Sequence, residues 1–354
     1  MKEEHDVPLA SRTTLGLGGP ARRLVRCETE AEIVSAVAGA DEAGVPLFVL
    51  GGGSNVVVAD EGFPGLVVEI ASAGVEPRAS GDRVEVEVAA GEDWDGFVAR
   101  AVAEGWSGIE CLAGIPGRVG ATPIQNVGAY GQDVAQTLAY VRVFDRRRGA
   151  VVTLDARTCG FSYRNSRFKG DRICPVVLSV GFVLDARGRS RPLAYEALCR
   201  TLGASAGDDR PLDEVRRTVI ALRRRKGMVL DRTDPDSVSA GSFFTNPILD
   251  IETFRAFEAR ARALVGSDAP VPRYLEDDRV KVPAAWLVER AGFLRGHTRG
   301  AFRVSTKHAL ALVHSGGGTT RELLAFEAEI RAAVGAVFGV TLEREPVLVG
   351  ESYG

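Results

Sequence analysis

The sequence predicts an α+β protein with more than one domain. Some segments repeat their apolar residues at helical spacing, and others alternate or run apolar as strands do. The strand-like segments concentrate in the first half and the longer helix-like segments in the second, which is typical of α+β proteins. A chain of 354 residues is also longer than a single hydrophobic core usually fills.

The first predicted elements are a helix and two short strands. Residues 29–44 have one apolar face and end at Gly44. Residues 45–50 (VPLFVL) are apolar and residues 56–58 (VVV) are β-branched, which favours strands. The glycines at residues 51–53 therefore join one strand to another.

Those three consecutive glycines predict a backbone anion-binding loop. Glycine adopts positive φ without strain, and several N–H groups in a curled loop can hold an anion. The stretch VLGGGSNVVV has neither the G-x-G-x-x-G spacing of dinucleotide folds nor the terminal Gly-Lys-Ser/Thr of a P-loop, and both of those loops open a helix. An ordinary glycine-rich turn is the alternative.

Strands dominate the remainder of the first half. Residues 66–70 and 84–90 predict strands, and residues 92–104 return to helical spacing. Residues 138–183 then predict mainly strands, of which the last is PVVLSVGFVL at 175–184.

Helices dominate after a boundary near residues 185–210. Residues 211–226, 249–265 and 319–338 each place apolar residues at helical spacing. The closing residues 340–350 (VTLEREPVLVG) predict a strand-like tail.

Composition excludes several classes of function. The net charge of −3 and the lack of a basic cluster give no reason to expect a nucleic acid partner. The five cysteines are scattered and lack C-x-x-C spacing, and none of the four histidines stands at metal-ligand spacing from another. Both features argue against disulfides and a metal site. The sequence MKEEHDVPLA has no apolar signal core, and no apolar run is long enough to span a membrane. We therefore expect a soluble protein of the cytoplasm.

The segment 108–131, GIECLAGIPGRVGATPIQNVGAYG, combines six glycines with apolar residues and hardly any charge. Surface loops are usually polar, so this composition favours backbone that wraps a flat aromatic ligand. A long surface loop is the alternative.

Several long motifs follow one another along the chain. They are VLGGGSNVVVAD, AGIPGRVGATPIQNVGAYGQD, FSYRNSRFK (161–169), SAGSFFTNP (239–247), AAWLVERAGF (284–293), VSTKHALALV (304–313) and TLEREP. In this order they resemble the UDP-N-acetylenolpyruvoylglucosamine reductases, which are flavoenzymes of bacterial cell-wall (peptidoglycan) precursor synthesis. The resemblance covers about residues 13–345.

The resemblance implies an FAD-binding fold of the vanillyl-alcohol-oxidase (PCMH) type, made of two α+β subdomains, with a C-terminal α+β substrate-binding domain. It places FAD-binding subdomain 1 at residues 1–78, joined by the tail 342–354. Subdomain 2 would be residues 79–222, and the substrate-binding domain residues 223–341.

The resemblance also implies which residues hold FAD. The glycine loop would cradle the FAD diphosphate, and the segment from Ile115 to Gly131 would lie along the flavin ring and ribityl chain. The expected contacts are Gly51, Gly52, Gly53, Ser54, Asn55, Ile115, Gly117, Gly120, Ala121, Thr122, Ile124, Asn126, Gly128 and Ala129.

Three residues would carry the reaction that the resemblance implies, in which NADPH reduces FAD and hydride passes from flavin N5 to UDP-N-acetylglucosamine enolpyruvate. Ser242 would donate the proton, while Arg164 and Glu345 would stabilise the enolate. Donors placed before charge develops are an effective way to stabilise it. The tail reads Glu343-Arg344-Glu345, and strand alternation puts both glutamates on one face, so Glu343 is the alternative carboxyl group.

Contacts to the substrate or to the nicotinamide follow from the same resemblance. LAYEALC (193–199) resembles the loop of a class of the family in which a tyrosine closes over the UDP diphosphate. The expected binding residues are Tyr163, Tyr195, Lys226, Asn246 and Lys281.

Two other functions compete with this interpretation. An oxidase of the same fold often tethers FAD through histidine or cysteine, and none of the four histidines lies in the flavin segments. A nucleotide-sugar binding module explains the glycine loop, but it gives no reason for an acid, a cation and a carboxylate in this order.

Overall fold

The computed structural model describes residues 1–170, 173–266, 270–276 and 278–350. The α-helices within these ranges are α1 Glu30–Glu42, α2 Trp94–Ala103, α3 Glu196–Thr201, α4 Leu212–Arg225, α5 Ile251–Val265, α6 Ala284–Arg290 and α7 Thr320–Phe338. None of them is both long enough and apolar enough to cross a membrane.

The strands lie throughout the described ranges. They are β1 Glu3–Pro8, β2 Pro20–Cys27, β3 Leu47–Leu50, β4 Val56–Val58, β5 Phe63–Ile70, β6 Val75–Ser80, β7 Arg83–Ala89, β8 Gly128–Ala129, β9 Gln132–Asp133, β10 Leu138–Asp145, β11 Ala150–Asp155, β12 Val176–Asp185, β13 Ile248–Leu249, β14 Tyr274–Glu276, β15 Arg279–Lys281, β16 Thr298–Arg299, β17 Phe302–Val304, β18 Leu312–His314 and β19 Val347–Val349.

The chain divides into two compact units. Unit 1 consists of Met1–Val7, Pro20–Gly53 and Phe63–Val229. Unit 2 consists of Pro8–Gly19, Ser54–Gly62 and Leu230–Gly354. The mixture of helices and sheets confirms the predicted α+β class. The predicted three-part division of the chain stays a prediction.

Unit 1 is built on two sheets. A four-stranded sheet has the order β1-β2-β5-β3, in which β5 runs parallel to both β2 and β3. A five-stranded antiparallel sheet has the order β11-β10-β12-β7-β6. Its strand β12 reads VVLSVGFVLD and is buried along most of its length, which explains its nearly continuous apolar sequence.

Helices α1 and α2 cover part of the core of unit 1. Each begins at a side chain that accepts a backbone N–H: Thr29 caps α1 and Asp93 caps α2. Trp94, Phe97 and Phe182 pack with ring centroids 5.4–6.1 Å apart. This aromatic cluster anchors α2 against the antiparallel sheet.

Unit 2 has a separate hydrophobic core around α7. Thr319 and Glu322 form a reciprocal capping box at the beginning of this helix, and Gly339 ends it with φ +69°. Its face buries Leu323, Phe326, Ile330, Val334 and Phe338. Unit 2 also contains three small sheets: β13-β15-β14, β16-β17-β18 and the parallel pair β19-β4.

The longer predicted elements are confirmed to within a few residues. The structure places α1, α2, α4, α5 and α7 within the predicted helical segments, and β3 and β4 flank the glycine loop as predicted. The tail departs from its prediction, since only Val347–Val349 forms a strand. The predicted loop at 193–199 is also helical in its second half, because α3 begins directly after Tyr195.

Candidate active site

The glycine loop of unit 1 packs directly against the loop at residues 117–121. A Cβ atom on Gly52 would lie 2.7 Å from Gly117 Cα, and one on Gly51 would lie 3.7 Å from Arg118 Cβ. Gly53 has φ +63°, a conformation that favours glycine. The absence of a side chain at Gly52 is therefore required by a close approach of two backbones within the protein.

The segment Ile115–Gly131 is held by backbone hydrogen bonds to the end of β7 and the loop after it. Val119 N donates to Glu92 O at 2.9 Å, and Gly120 N donates to Ala90 O at 2.8 Å. A Cβ on Gly120 would lie 2.5 Å from Ala90 Cβ, so this glycine also permits a close approach. The segment is a fixed part of unit 1 despite its irregular backbone.

Two of the predicted FAD-binding side chains have protein partners. Thr122 Oγ1 donates to Val119 O at 2.8 Å. Asn126 Oδ1 accepts from Ala135 N at 3.0 Å, and its Nδ2 donates to Ser162 O at 3.3 Å. Both residues are buried. Their side chains shape the loop, while any contact they make with FAD stays a prediction.

The other predicted FAD residues belong partly to unit 1 and partly to unit 2. Gly51, Gly52 and Gly53 end one segment of unit 1, and Ser54 and Asn55 begin a segment of unit 2. Ile115, Ile124 and Ala129 are half-buried and pack against the core of unit 1. Gly117, Gly120 and Gly128 are half-buried, and Ala121 is exposed.

Arg164 lies beside this loop within unit 1. Its Nη2 donates to Gly128 O at 2.7 Å, and its guanidinium carbon lies 5.6 Å from the centre of the Tyr163 ring. Arg164 has φ +53°, which is uncommon for a residue with a side chain and occurs mostly at turns and functional sites. The guanidinium is thus attached to the predicted FAD loop by a direct hydrogen bond.

A cluster of cations and aromatic rings lies in the same unit. Lys226 Nζ lies 5.7 Å from the centre of the Tyr130 ring, and this ring contacts Tyr195 edge-on with centroids 5.2 Å apart. Burial and the charge of Arg223 lower the pKa of Lys226. Burial lowers the pKa of Arg223 to about 10, and the charge of Arg164 adds to this effect. Cations whose charged forms are penalised in this way favour an anionic ligand.

Two members of this cluster were not predicted from the sequence. Tyr130 lies in the quoted motif GAYG, in which only the glycine and alanine residues were expected to contact a ligand. Arg223 lies in a run of arginines on α4 that resembles a solvated helix face. Arg223 is half-buried, whereas its neighbours Arg224 and Arg225 are exposed, and only the fold shows this difference.

The segments that carry Ser242 and Glu345 pair as extended backbone in unit 2. Thr245 N donates to Glu343 O, and Glu345 N donates to Phe243 O, each at 3.0 Å. These bonds flank an antiparallel bridge between Phe244 and Arg344. Phe243 and Phe244 are fully buried, so they fix the segment that carries Ser242.

Burial separates the two glutamates that periodicity could not. Residues 341–346 form no strand beyond the single bridge at Arg344. Glu345 is only 8 % exposed, whereas Glu343 is exposed. A carboxyl group that acts in a dry pocket must be shielded from water, and this favours Glu345.

Ser242 also has a neighbour that the sequence analysis did not single out. Its Oγ lies 3.4 Å from Nε2 of His308. His308 stands within the quoted motif VSTKHALALV, but nothing in the spacing connects it to a serine 66 positions earlier. Only the fold reveals this pair.

Two predicted substrate-binding residues of unit 2 have partners in the fold. Asn246 Oδ1 accepts from Ala284 N at 2.9 Å, at the beginning of α6. Lys281 on β15 forms an ion pair with Glu276 on β14. Both contacts stabilise unit 2, and substrate binding by these residues stays a prediction.

Comparisons with known proteins match both parts of the chain. The family described as FAD binding domain matches residues 21–155, and the family described as UDP-N-acetylenolpyruvoylglucosamine reductase, C-terminal domain, matches residues 234–349. The UDP-N-acetylenolpyruvoylglucosamine reductase of Thermobifida fusca is 54% identical over 348 residues, which cover 98% of this chain and 97% of that protein. This chain belongs to the UDP-N-acetylenolpyruvoylglucosamine reductase family.

Further relatives agree with this assignment. The UDP-N-acetylenolpyruvoylglucosamine reductase of Mycobacterium tuberculosis is 45% identical, with 97% of this chain and 94% of that protein covered. The crystal structure of the corresponding reductase from Thermus caldophilus superposes with a TM-score of 0.65 at 25% identity, with 99% and 98% covered. The predicted resemblance and fold class are confirmed.

Members of the UDP-N-acetylenolpyruvoylglucosamine reductase family are FAD-containing oxidoreductases, and the matched FAD binding domain contains both loops described above. The residues present fit the cofactor. Gly51 and Gly52 lie against the loop at residues 117–121, so the two glycine-rich loops predicted to hold FAD adjoin each other, and backbone amides of such loops bind diphosphate oxygens. The half-buried Ile115 and Ile124 offer apolar surface suited to a flavin ring.

Proposed function

We propose that this chain reduces UDP-N-acetylglucosamine enolpyruvate to UDP-N-acetylmuramate, with NADPH as reductant. The proposal rests on the 54% identity, over 98% of the chain, with a protein whose name states this activity. Bound FAD supplies the hydride that NADPH provides. The remaining steps, which are binding, charge stabilisation and proton donation, belong to the side chains of the chain.

Arg164 and Glu345 stabilise the charge that develops on the substrate. Addition of hydride to the enol ether places negative charge on the carbon next to the carboxylate and on the carboxylate oxygens. The guanidinium of Arg164 is permanently charged, and its hydrogen bond to Gly128 O fixes it in advance. The buried Glu345 supports the same charge through a hydrogen bond from its protonated carboxyl group.

Ser242 completes the reaction by donating a proton to that carbon. Its hydroxyl is a weak acid, so donation requires a fixed orientation and little competing water. The fully buried Phe243 and Phe244 follow it in the chain, which supports this role.

The cationic cluster of unit 1 binds the diphosphate of the substrate. Lys226 acts as a point charge, and Tyr195 donates from its hydroxyl group. Tyr195 is 40 % exposed, which suits a residue that meets its ligand at the surface of unit 1. The same proposal puts the enzyme in the cytoplasm, where cysteines that form no disulfide are stable.

The product distinguishes this function from its rivals. The purified protein is incubated with NADPH and the enolpyruvyl sugar without oxygen, and the nucleotide sugar is analysed by mass spectrometry. We expect a gain of two hydrogens, and in D₂O the hydrogen added to the carbon next to the carboxylate should be deuterium. An unchanged nucleotide sugar contradicts the proposal, and oxygen consumption without reduction of the sugar favours the oxidase.

The role of Ser242 is tested by separating the two half-reactions. Ser242→Ala should leave reduction by NADPH nearly unchanged and slow the reoxidation by the sugar about 10²–10⁴-fold, which is the usual contribution of a general acid. Ser315→Ala, which removes an exposed hydroxyl of the same unit, is the control and should change neither rate. Equal reoxidation in all three proteins would reject the assignment.

A further inference from the structure

We propose that His308 is a positioning residue for Ser242: its Nε2–H donates to Ser242 Oγ and stabilises the charge that forms there as the serine gives up its proton. This inference rests on the proposed function. Its starting observation is the separation of 3.4 Å between the two atoms, and catalytic hydrogen bonds of this length often shorten when the substrate binds.

Chemistry assigns the direction of this hydrogen bond. A serine hydroxyl has one hydrogen and two acceptor sites. If the hydrogen points at the substrate carbon, the ring nitrogen of His308 must be the donor. In the proton transfer, the Oγ–H bond breaks as the C–H bond forms, and the charge left on Oγ accepts from Nε2–H. A proton from solvent water returns to Oγ after the product leaves.

The turn that carries His308 is held from two sides. Ser305 Oγ accepts from Lys307 N at 3.0 Å and from His308 N at 3.2 Å. Thr306 Oγ1 donates to Asp236 Oδ2 at 2.6 Å, and Thr306 N donates to Asp236 Oδ1 at 3.1 Å. Ser305 and Asp236 are both buried, so the turn has little freedom to move the imidazole ring.

The backbone also couples this turn to the serine. Phe243 N donates to Leu310 O at 2.7 Å, which joins the residue after Ser242 to the residue two places after His308. Phe243 in turn accepts from Glu345 N. The segments of the proton donor, its positioning residue and the predicted catalytic glutamate are therefore linked in unit 2 by consecutive backbone hydrogen bonds.

The test compares His308→Ala with His308→Gln in the FAD-loaded enzyme. We expect His308→Ala to leave reduction by NADPH unchanged and to slow reoxidation by the sugar about 10²-fold, as for loss of one donor to a developing oxyanion. His308→Gln keeps an N–H donor and should restore most of the rate. Lys307→Ala is the control for the turn, because its side chain points to Asp234; it should behave as the natural protein does.

Two further readouts separate positioning from a structural effect. On a Ser242→Ala background, His308→Ala should cause no additional loss, because the two residues act as one unit. With only four histidines, ¹⁵N-histidine labelling resolves each ring, and Ser242→Ala should shift the Nε2 resonance of His308 while leaving that of His297 in place.

Failure of this inference and failure of the proposed function give different results. If His308→Ala reoxidises at the natural rate, if His308→Gln is as slow as His308→Ala, or if the Nε2 resonance does not respond to Ser242→Ala, the inference is wrong. If the unaltered enzyme does not reduce the sugar at all, the proposed function itself fails.

Discussion

Replacement of Gly52 by alanine tests why the glycine loop lacks side chains. The new Cβ would lie 2.7 Å from Gly117 Cα and 3.2 Å from the carbonyl carbon of the same residue. Carbon atoms pack best at about 3.5–4.0 Å, so one of the two backbones has to move by roughly 0.8 Å. Neither atom belongs to a flexible side chain, and the strain cannot be relieved by a change of rotamer.

The neighbouring glycine provides a matched control. A Cβ on Gly51 would lie 3.7–3.8 Å from its nearest neighbours, which is ordinary contact, and neither Gly51 nor Gly52 has a positive φ. The overpacking that Gly52→Ala creates costs about 1–3 kcal/mol. Gly51→Ala should instead be neutral or stabilise by about 0.4–1 kcal/mol, because alanine restricts the unfolded chain.

The assay is urea unfolding of the FAD-free proteins, followed by tryptophan fluorescence. Trp94 and Trp106 are buried in the core of unit 1, and a Trp286→Phe background removes the signal of unit 2. We expect Gly52→Ala to lower the free energy of unfolding of unit 1 relative to Gly51→Ala by about 1–4 kcal/mol. Equal unfolding midpoints for the two variants would refute the close-approach argument.

Three further predictions concern unit 2. Phe326→Ala empties a fully buried site on α7 and should cost about 3–5 kcal/mol of stability; a loss below 1 kcal/mol in urea unfolding would contradict the described core. For Asp236, burial raises the pKa, but the hydrogen bonds from Thr306 together with a nearby cation lower it overall. Its stabilising effect is therefore complete above the ordinary aspartate pKa of about 3.9 and is lost as the pH falls through the lowered value. Asp236→Asn should be about 1–3 kcal/mol less stable than the natural protein at neutral pH, and the gap should close in acid; a gap that does not depend on pH would count against this. Glu345→Ala should slow reoxidation by the enolpyruvyl sugar while Glu343→Ala does not, and the reverse result would move the carboxyl role to Glu343.

Long periodic elements could be predicted from the sequence because their own residues determine them. Helix α7 has a capping box at Thr319, an apolar face and a terminal glycine at Gly339, all of which are local signals. Short elements lack such signals. Helix α6 has seven residues, and β2 mixes three arginines with apolar residues in no regular alternation, so tertiary pairing decides their structure.

The candidate site divides in the same way. The glycine loop and the three expected catalytic residues came from motifs that are contiguous in sequence. The contact between Ser242 and His308, the half-buried position of Arg223 and the burial of Glu345 beside an exposed Glu343 depend on distant segments. No local pattern encodes them, because each arises from packing between segments that are far apart in the chain.

Reduction and reoxidation of the purified protein, measured without oxygen in a stopped-flow spectrometer, test the central claim most directly. The account predicts that NADPH bleaches the yellow colour of bound flavin and that the UDP-enolpyruvyl sugar then restores it in a fast phase. A protein that cannot be loaded with FAD, or one whose bleached flavin recovers only when air is admitted, would contradict it.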